Sequence, residues 1–258
     1  MAAILGRMTG DRTGAGDPDR TLALLWRLPQ AGRRGPRPGT SVDAVVDAAV
    51  RLADAEGTAA VTVRRLAALV DVSPMSVYTY VAGKAELLDL MLDTVYARMP
   101  RADTTGEPWR ARVAAVAGEN RALFAAHPWA AEVSTVRPPL GPGQMAKYDH
   151  ELRAFDGLGL PDVEIDAALA CDLAFVRTHA RDSAEAAAGR RASGTDDEQW
   201  WARNAPLLAR VLDPAAYPVA ARVGTAAGQT FGSTWDPDHA WGFGLATLLD
   251  GLAARAAI

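Results

Sequence analysis

The residues best suited to chemistry lie between Val61 and Lys84. Met75, Ser76, Tyr78, Thr79 and Tyr80 stand almost in succession, with Arg64 ahead of them and Lys84 just behind. Hydroxyl and guanidinium groups hydrogen-bond to base edges and phosphate oxygens, apolar methyl groups meet thymine methyls, and an ammonium pairs with phosphate. None of these side chains forms a metal-ligand set or a nucleophile–base pair. The chemistry they suggest is non-covalent recognition of a polyanion.

Such groups act only when a rigid element presents them. Val63, Leu66, Ala67 and Val70 recur at helical spacing in a helix that opens at Thr62. Ser73 is placed to cap a second short helix, with Pro74 at its first position, where the missing N–H costs nothing. Asp71-Val72-Ser73 joins the two. That spacing predicts a helix-turn-helix. The turn demands a positive φ, so Asp71 stands where Gly is usual, and Val72 is expected to plug the space between the helices. In the second helix Val77 and Val81 are expected to point inward. Met75, Ser76, Thr79 and Tyr80 then face outward, with the Tyr78 hydroxyl on a phosphate. Lys84 begins a further helix, where its ammonium and the open backbone N–H groups can hold another phosphate. Arg64 can reach a base or the backbone.

The flanking sequence supports a compact helical unit. Ser41 is an N-cap candidate, Val42, Val45, Val46, Ala49, Val50 and Ala53 form an apolar stripe, and Gly57 ends that helix. Leu87, Leu88, Met91, Leu92 and Val95 give the helix after Gly83 an apolar face. Ahead of Ser41, residues 1–20 read as disordered, Thr21–Leu28 as a short apolar island able to dock on the body, and Pro29–Thr40 as a Gly/Pro/Arg linker.

Across its 258 residues the chain is 49% hydrophobic and 22% charged, and it is rich in Ala, which leans helical. No strand-like alternation or internal repeat is evident. The net charge of −4 is unevenly spread: Arg27–Lys84 holds 8 basic and 5 acidic residues, Arg101–Ile258 15 and 20. A basic front and an acidic body fit a molecule whose front alone meets phosphates. No apolar run reaches the roughly 18–20 residues that span a bilayer, and no signal peptide is read at the N-terminus. The single cysteine, Cys171, allows no internal disulfide. A cytoplasmic location is expected.

With these elements in place, Ala48–Leu92 resembles the DNA-binding domain of the tetracycline-repressor (TetR) family. The likeness spans residues 41–95. It rests on Ala55-Glu56-Gly57, the Thr-x-Arg-x-Leu-Ala at Thr62, Ser73-Pro74-Met75-Ser76, the Tyr-x-Tyr-Val at Tyr78 and the Lys-x-x-Leu-Leu at Lys84. The leader with Leu24-Leu25-Trp26, Phe243-Gly244-Leu245 and Leu248–Leu252 look like an actinobacterial subgroup. Departures are Asp71, where the family usually has Gly, and Tyr80, where many members carry His. Position by position, the resemblance implies DNA contacts from Thr62, Arg64, Ser73, Met75, Ser76, Tyr78, Thr79, Tyr80 and Lys84. Arg33 and Arg34 could enter a minor groove as an arm, or belong to a solvated linker.

The implied fold is all-α: a leader at 1–40, a three-helix DNA-binding domain at 41–95, and a larger helical ligand-binding and dimerisation domain at 96–258. Helices are expected near 108–126, 128–136, 142–157, 161–190, 196–212, 214–223 and 239–256. The family implies a homodimer formed by the 161–190 and 239–256 helices, though their apolar faces could equally fill each protomer's own core. Pocket candidates are His127, Trp129, Tyr148, Phe155, Phe175, His179 and Trp201.

Enzyme motifs are poor. His150-Glu151-Leu152-Arg153-Ala154 begins like HExxH but lacks the second His, no nucleotide or serine-hydrolase motif is present, and His179 with Asp182 is too few ligands for a metal. No catalytic residue, cofactor or metal is expected. The expected function is a ligand-responsive repressor, released from a palindromic operator in double-stranded DNA by a small molecule. A transcriptional activator, or a helical small-molecule enzyme or carrier, is the alternative.

Overall fold

A computed structural model describes residues 11–28 and 40–256. Among them the regular elements are helical: twelve α-helices and one short 3-10 turn, plus an isolated parallel bridge between Arg12 and Ser134. In chain order the helices are α1 (Pro18–Leu25), α2 (Val42–Glu56), α3 (Val63–Leu69), α4 (Pro74–Tyr80), α5 (Lys84–Arg98), α6 (Trp109–Ala126), α7 (Pro128–Glu132), α8 (Pro142–Phe155), α9 (Asp162–Ser193), α10 (Asp197–Val211), α11 (Pro218–Phe231) and α12 (Pro237–Arg255). They divide between two compact units. Residues through Ala180 make the first and Arg181–Arg255 the second, with α9 running from one into the other.

In the first unit α2, α3 and α4 close on a shared core. α2 buries Val45, Val46, Ala49 and Leu52, which meet Leu66 of α3 and Val77 of α4 in the same interior. Ser41 caps α2 by accepting from Ala44 N at 3.1 Å, as its position in the sequence suggests. α5 is buried on nearly every side because α1, α2 and α8 all pack against it. Its buried Asp93 supplies the cap that α8 lacks, accepting from Gln144 N at 2.8 Å. Gly143 makes that approach possible: a Cβ there would lie 2.0 Å from the Asp93 carbonyl oxygen.

The leader departs from expectation. Asp11–Gly16 is held in place, and α1 begins at Pro18, capped by Asp17 accepting from Arg20 N at 2.9 Å. Polar composition suggested disorder, but the polar groups here find partners on the body. The apolar island does dock, burying Leu24 and Leu25. Two later helices also differ. The expected 128–136 helix stops at Glu132, because Ser134 turns its backbone to the leader instead. The expected 214–223 helix lies at Pro218–Phe231, with Gly232 closing it at φ 64°.

The second unit contains the end of α9 with α10, α11 and α12. A cavity of about 330 Å³ opens between α10 and α11, lined by Trp201, Ala205, Leu208, Gly224 and Gly228. Gly228 matters there, since a Cβ would meet the Trp201 ring at 2.9 Å. Phe243 of α12 is 70% exposed and only Leu249 of that helix is buried.

Candidate functional site

α3 and α4 form the helix-turn-helix. Val70 ends α3, Asp71 takes φ 52°, and Val72 N donates back to Ala67 O at 3.0 Å. That is a Schellman ending, and it places an aspartate in the left-handed region normally left to Gly. The expected positive φ at Asp71 is therefore present. Ser73 then caps α4, its Oγ accepting from Ser76 N at 3.2 Å and lying 2.8 Å from Ser76 Oγ. Thr62 similarly caps α3, accepting from Arg65 N at 3.4 Å. Ser73 thus fixes how α4 leaves the turn, and Thr62 fixes the start of α3.

The outer face of α4 carries Met75, 74% exposed, and Tyr78, 47% exposed, beside exposed Ser73 and Thr79 and half-buried Ser76. Thr79 Oγ1 donates to Ser76 O at 2.7 Å. Tyr80 corrects the facial reading: it is 5% exposed and packs inward with Val77. Val77 and Val81 are buried as expected, and Tyr80, three residues after Val77, joins them on the inner side. Arg64 is exposed at the start of α3, whereas its neighbour Arg65 is bound to Glu56, with Nη1–Oε2 at 2.8 Å. Lys84, at the N-terminus of α5, holds Asp11 of the leader at 2.8 Å. Arg33 and Arg34 lie outside the described residues.

The expected pocket residues of the first unit fall at separate places within it. His127 Nδ1 and Trp129 Nε1 both reach Asp54 Oδ1 of α2, at 2.8 and 2.7 Å. They clamp the start of α7 to the DNA-side helices. Tyr148 is at the surface, donating to Asp166 at 2.7 Å, and Phe155 is fully buried. Phe175 and His179 stand side by side on α9, ring centroids 6.3 Å apart. Trp201 belongs to the second unit.

A polar cluster inside the first unit escaped the sequence reading. Lys147 and Glu151, one turn apart on α8, form a buried ion pair at 2.6 Å, and Lys147 Nζ lies 5.2 Å from the Tyr96 ring centroid. Asn120 of α6 donates through Nδ2 to Glu151 Oε1 at 2.6 Å and to Val116 O at 3.0 Å. Asp172 of α9 is 2% exposed, and neither of its oxygens has a hydrogen-bond partner, nor has Asn120 Oδ1. Burial first, and Glu151 second, push the Asp172 carboxyl up to about 7, against the pull of Lys147. Burial also draws the Lys147 ammonium below its usual range, opposed by Glu151. The available signals were Asp172 interrupting the apolar Ala167–Val176 stretch and the Lys147–Glu151 spacing. Among the described residues no group of His, Cys, Asp and Glu could hold a metal ion, and no helix is long and apolar enough to cross a membrane.

Comparison with known proteins agrees with this geometry. Residues 45–91 match the family described as bacterial regulatory proteins, tetR family, and residues 101–256 match the tetracyclin repressor-like C-terminal domain. The HTH-type transcriptional repressor DrrR1 of Streptomyces coeruleorubidus is 41% identical over 243 residues, covering 94% of this chain and 88% of that one. The Streptomyces coelicolor protein ActR is similar in structure at 25% identity. In complex with actinorhodin it aligns with a TM-score of 0.71, covering 86% of this chain and 99% of that one. Its apo form aligns at 0.69, covering 85% and 97%. With a capped helix-turn-helix at its front and a matching helical body behind, the chain belongs to the tetracycline-repressor family and is a helix-turn-helix transcriptional repressor.

Proposed function

We propose that the protein acts as a homodimer that reads a palindromic operator through α4 and is released when a small molecule binds its helical body. The observation that carries the DNA half is the exposed Met75, Tyr78 and Thr79, with half-buried Ser76 between them, on a helix fixed by the Asp71 turn and the Ser73 cap. Arg64, Thr62 and Lys84 flank that face and supply backbone contacts. Two copies would set their α4 helices in successive major grooves, roughly 34–36 Å apart. Exposed Phe243 on α12 and Val163 on α9 support the expected pairing of these helices between protomers.

For the effector, the buried cluster supports a site against Asp172. Its unpartnered atoms, two on Asp172 and one on Asn120, are oxygens, all of them acceptors once the Asp172 carboxyl is ionised. Leaving a buried acceptor unmade costs roughly 1–3 kcal/mol. A ligand with an apolar body and a hydroxyl or ammonium donor would remove that cost, in surroundings supplied by Leu169 and Val176, buried about one turn either side of Asp172 on α9. The ligand-bound form of ActR is that of a similar protein holding a small molecule, actinorhodin. Differential affinity for two conformations then converts binding into release.

Titrating the purified protein against its own upstream intergenic DNA tests the reading. Tight, salt-sensitive binding to that fragment over a scrambled one is expected, and equal affinity for both would overturn it. A promoter-reporter assay with the gene deleted separates repression, in which signal rises, from activation, in which it falls.

A further inference from the structure

The leader touches two regions that sequence places far apart. On one side is α5: Asp11 binds Lys84 at 2.8 Å, Gly14 N donates to Asp89 Oδ1 at 3.0 Å, and Arg20 binds Glu86 at 3.0 Å. On the other is the 133–140 segment. Thr13 N donates to Ser134 O at 3.1 Å, Ser134 N donates to Asp11 O at 3.0 Å, and Thr13 Oγ1 donates to Arg137 O at 2.5 Å. Trp26 Nε1 closes the strap on Leu140 O at 2.8 Å. The fit is tight: Gly14 has φ +67°, and a Cβ there would meet Arg137 Cβ at 2.7 Å. Ordering a chain end costs conformational entropy at every residue, so a leader without partners would not hold this path.

The 133–140 segment is in turn gripped by α9. Arg177 donates to Thr135 Oγ1 at 2.7 Å and to Val133 O at 3.5 Å. Arg177 lies five residues after Asp172, on the helix that contributes to the buried cluster. A connected path of polar contacts and adjacent backbone therefore runs from Arg177 of α9 to Thr135, along the chain to Ser134, across to Asp11 and on to Lys84.

Lys84 has two claims on it. A carboxylate from the leader already occupies the ammonium, at the N-terminus of a 15-residue helix whose own cap residue, Gly83, has no side chain. A DNA phosphate would seek the same ammonium and the same helix end. We propose that Asp11 is a resident competitor of DNA phosphate for Lys84, and that the leader undocks from Ser134 when the protein binds its operator. Any ligand-driven shift of α9 that tightens Ser134 on the leader then weakens DNA binding, and by reciprocity DNA loosens the strap. The proposal rests on the reading of Lys84 as a phosphate contact.

The test is a double-mutant cycle with Asp11→Asn and Lys84→Gln, read by fluorescence anisotropy on the protein's upstream intergenic DNA over a range of salt. Exposed ion pairs of this kind are worth up to about 1 kcal/mol, so Asp11→Asn should tighten DNA binding roughly two- to fivefold at low salt. Lys84→Gln should weaken binding, and Asp11→Asn should have no further effect in that background. Hydrogen exchange at the Thr13 and Ser134 amides should quicken when the DNA is added. If Lys84→Gln weakens binding but Asp11→Asn changes nothing and exchange stays slow, the competition does not exist. If Lys84→Gln leaves affinity and salt slope untouched, the phosphate reading itself fails, and the competition fails with it.

Discussion

The outer face of α4 and the interior around Asp172 both assemble polar groups, but under opposite solvent conditions. On α4 the hydroxyls and Met75 stand in water, where an unmade hydrogen bond costs little, and the caps at Ser73 and Thr62 satisfy the helix ends. Around Asp172 the groups are buried, so every acceptor without a donor weighs on stability. A solvent-exposed polar face can wait for a partner without cost to the fold. A buried cluster with unmet acceptors cannot, and it should show that tension in the free protein.

The largest expected effect breaks the interior directly. Glu151→Ala strips the partner from a buried ammonium and from Asn120, so it should cost about 3–5 kcal/mol in urea unfolding. A loss below about 1 kcal/mol would mean the cluster is hydrated rather than dry.

Asp172→Asn should move the other way and sharpens the contrast most. The folded carboxyl titrates at about 7, above its ordinary 3.8, so the charged form is the one that folding disfavours. The penalty is absent below about pH 4 and complete above about pH 7. The Asn variant should therefore melt higher than the parent at pH 8, by the equivalent of roughly 1–3 kcal/mol, and the gain should shrink at pH 5. A lower melting point at pH 8 would show that Asp172 is structurally satisfied and would remove the proposed effector contact. No such pH dependence is expected for changes on α4.

On the DNA side, Tyr78→Phe should weaken all sequences alike by about 1 kcal/mol, while Ser76→Ala should change which bases are preferred. Competition binding against a panel of single-base operator variants separates these. A base-specific loss from Tyr78→Phe would reverse the two roles.

The smallest effect tests the turn. Asp71→Gly relieves a left-handed aspartate and should raise stability by about 0.5–1 kcal/mol, with base preference unchanged. A shift in preference would mean that the Asp71 carboxylate itself faces the DNA.

Local signals were readable where one short stretch decides the structure. The cap at Ser41, the helix-turn-helix, the positive φ of Asp71 and the start of α5 all follow from a few adjacent residues. Tyr80 was misread because the buried side of a seven-residue helix depends on what packs against it, not on spacing alone. The leader was misread because its composition is that of an unstructured chain, while its partners, Ser134, Asp89 and Lys84, lie 73 to 123 positions away. Aromatic and His side chains mark a pocket no better than a structural tie, and His127 and Trp129 hold Asp54.

The sequence by itself therefore determined an all-helical chain of the tetracycline-repressor family with a helix-turn-helix whose second helix is Pro74–Tyr80, because helix periodicity, caps and turn chemistry act over a few residues. Tertiary structure alone decided that Asp11 sits on Lys84 and that Asp172 lies buried beside Lys147 and Glu151 with its acceptors unmet. Those outcomes depend on which distant segments share an interior, and burial, unlike periodicity, is a property of the packed chain.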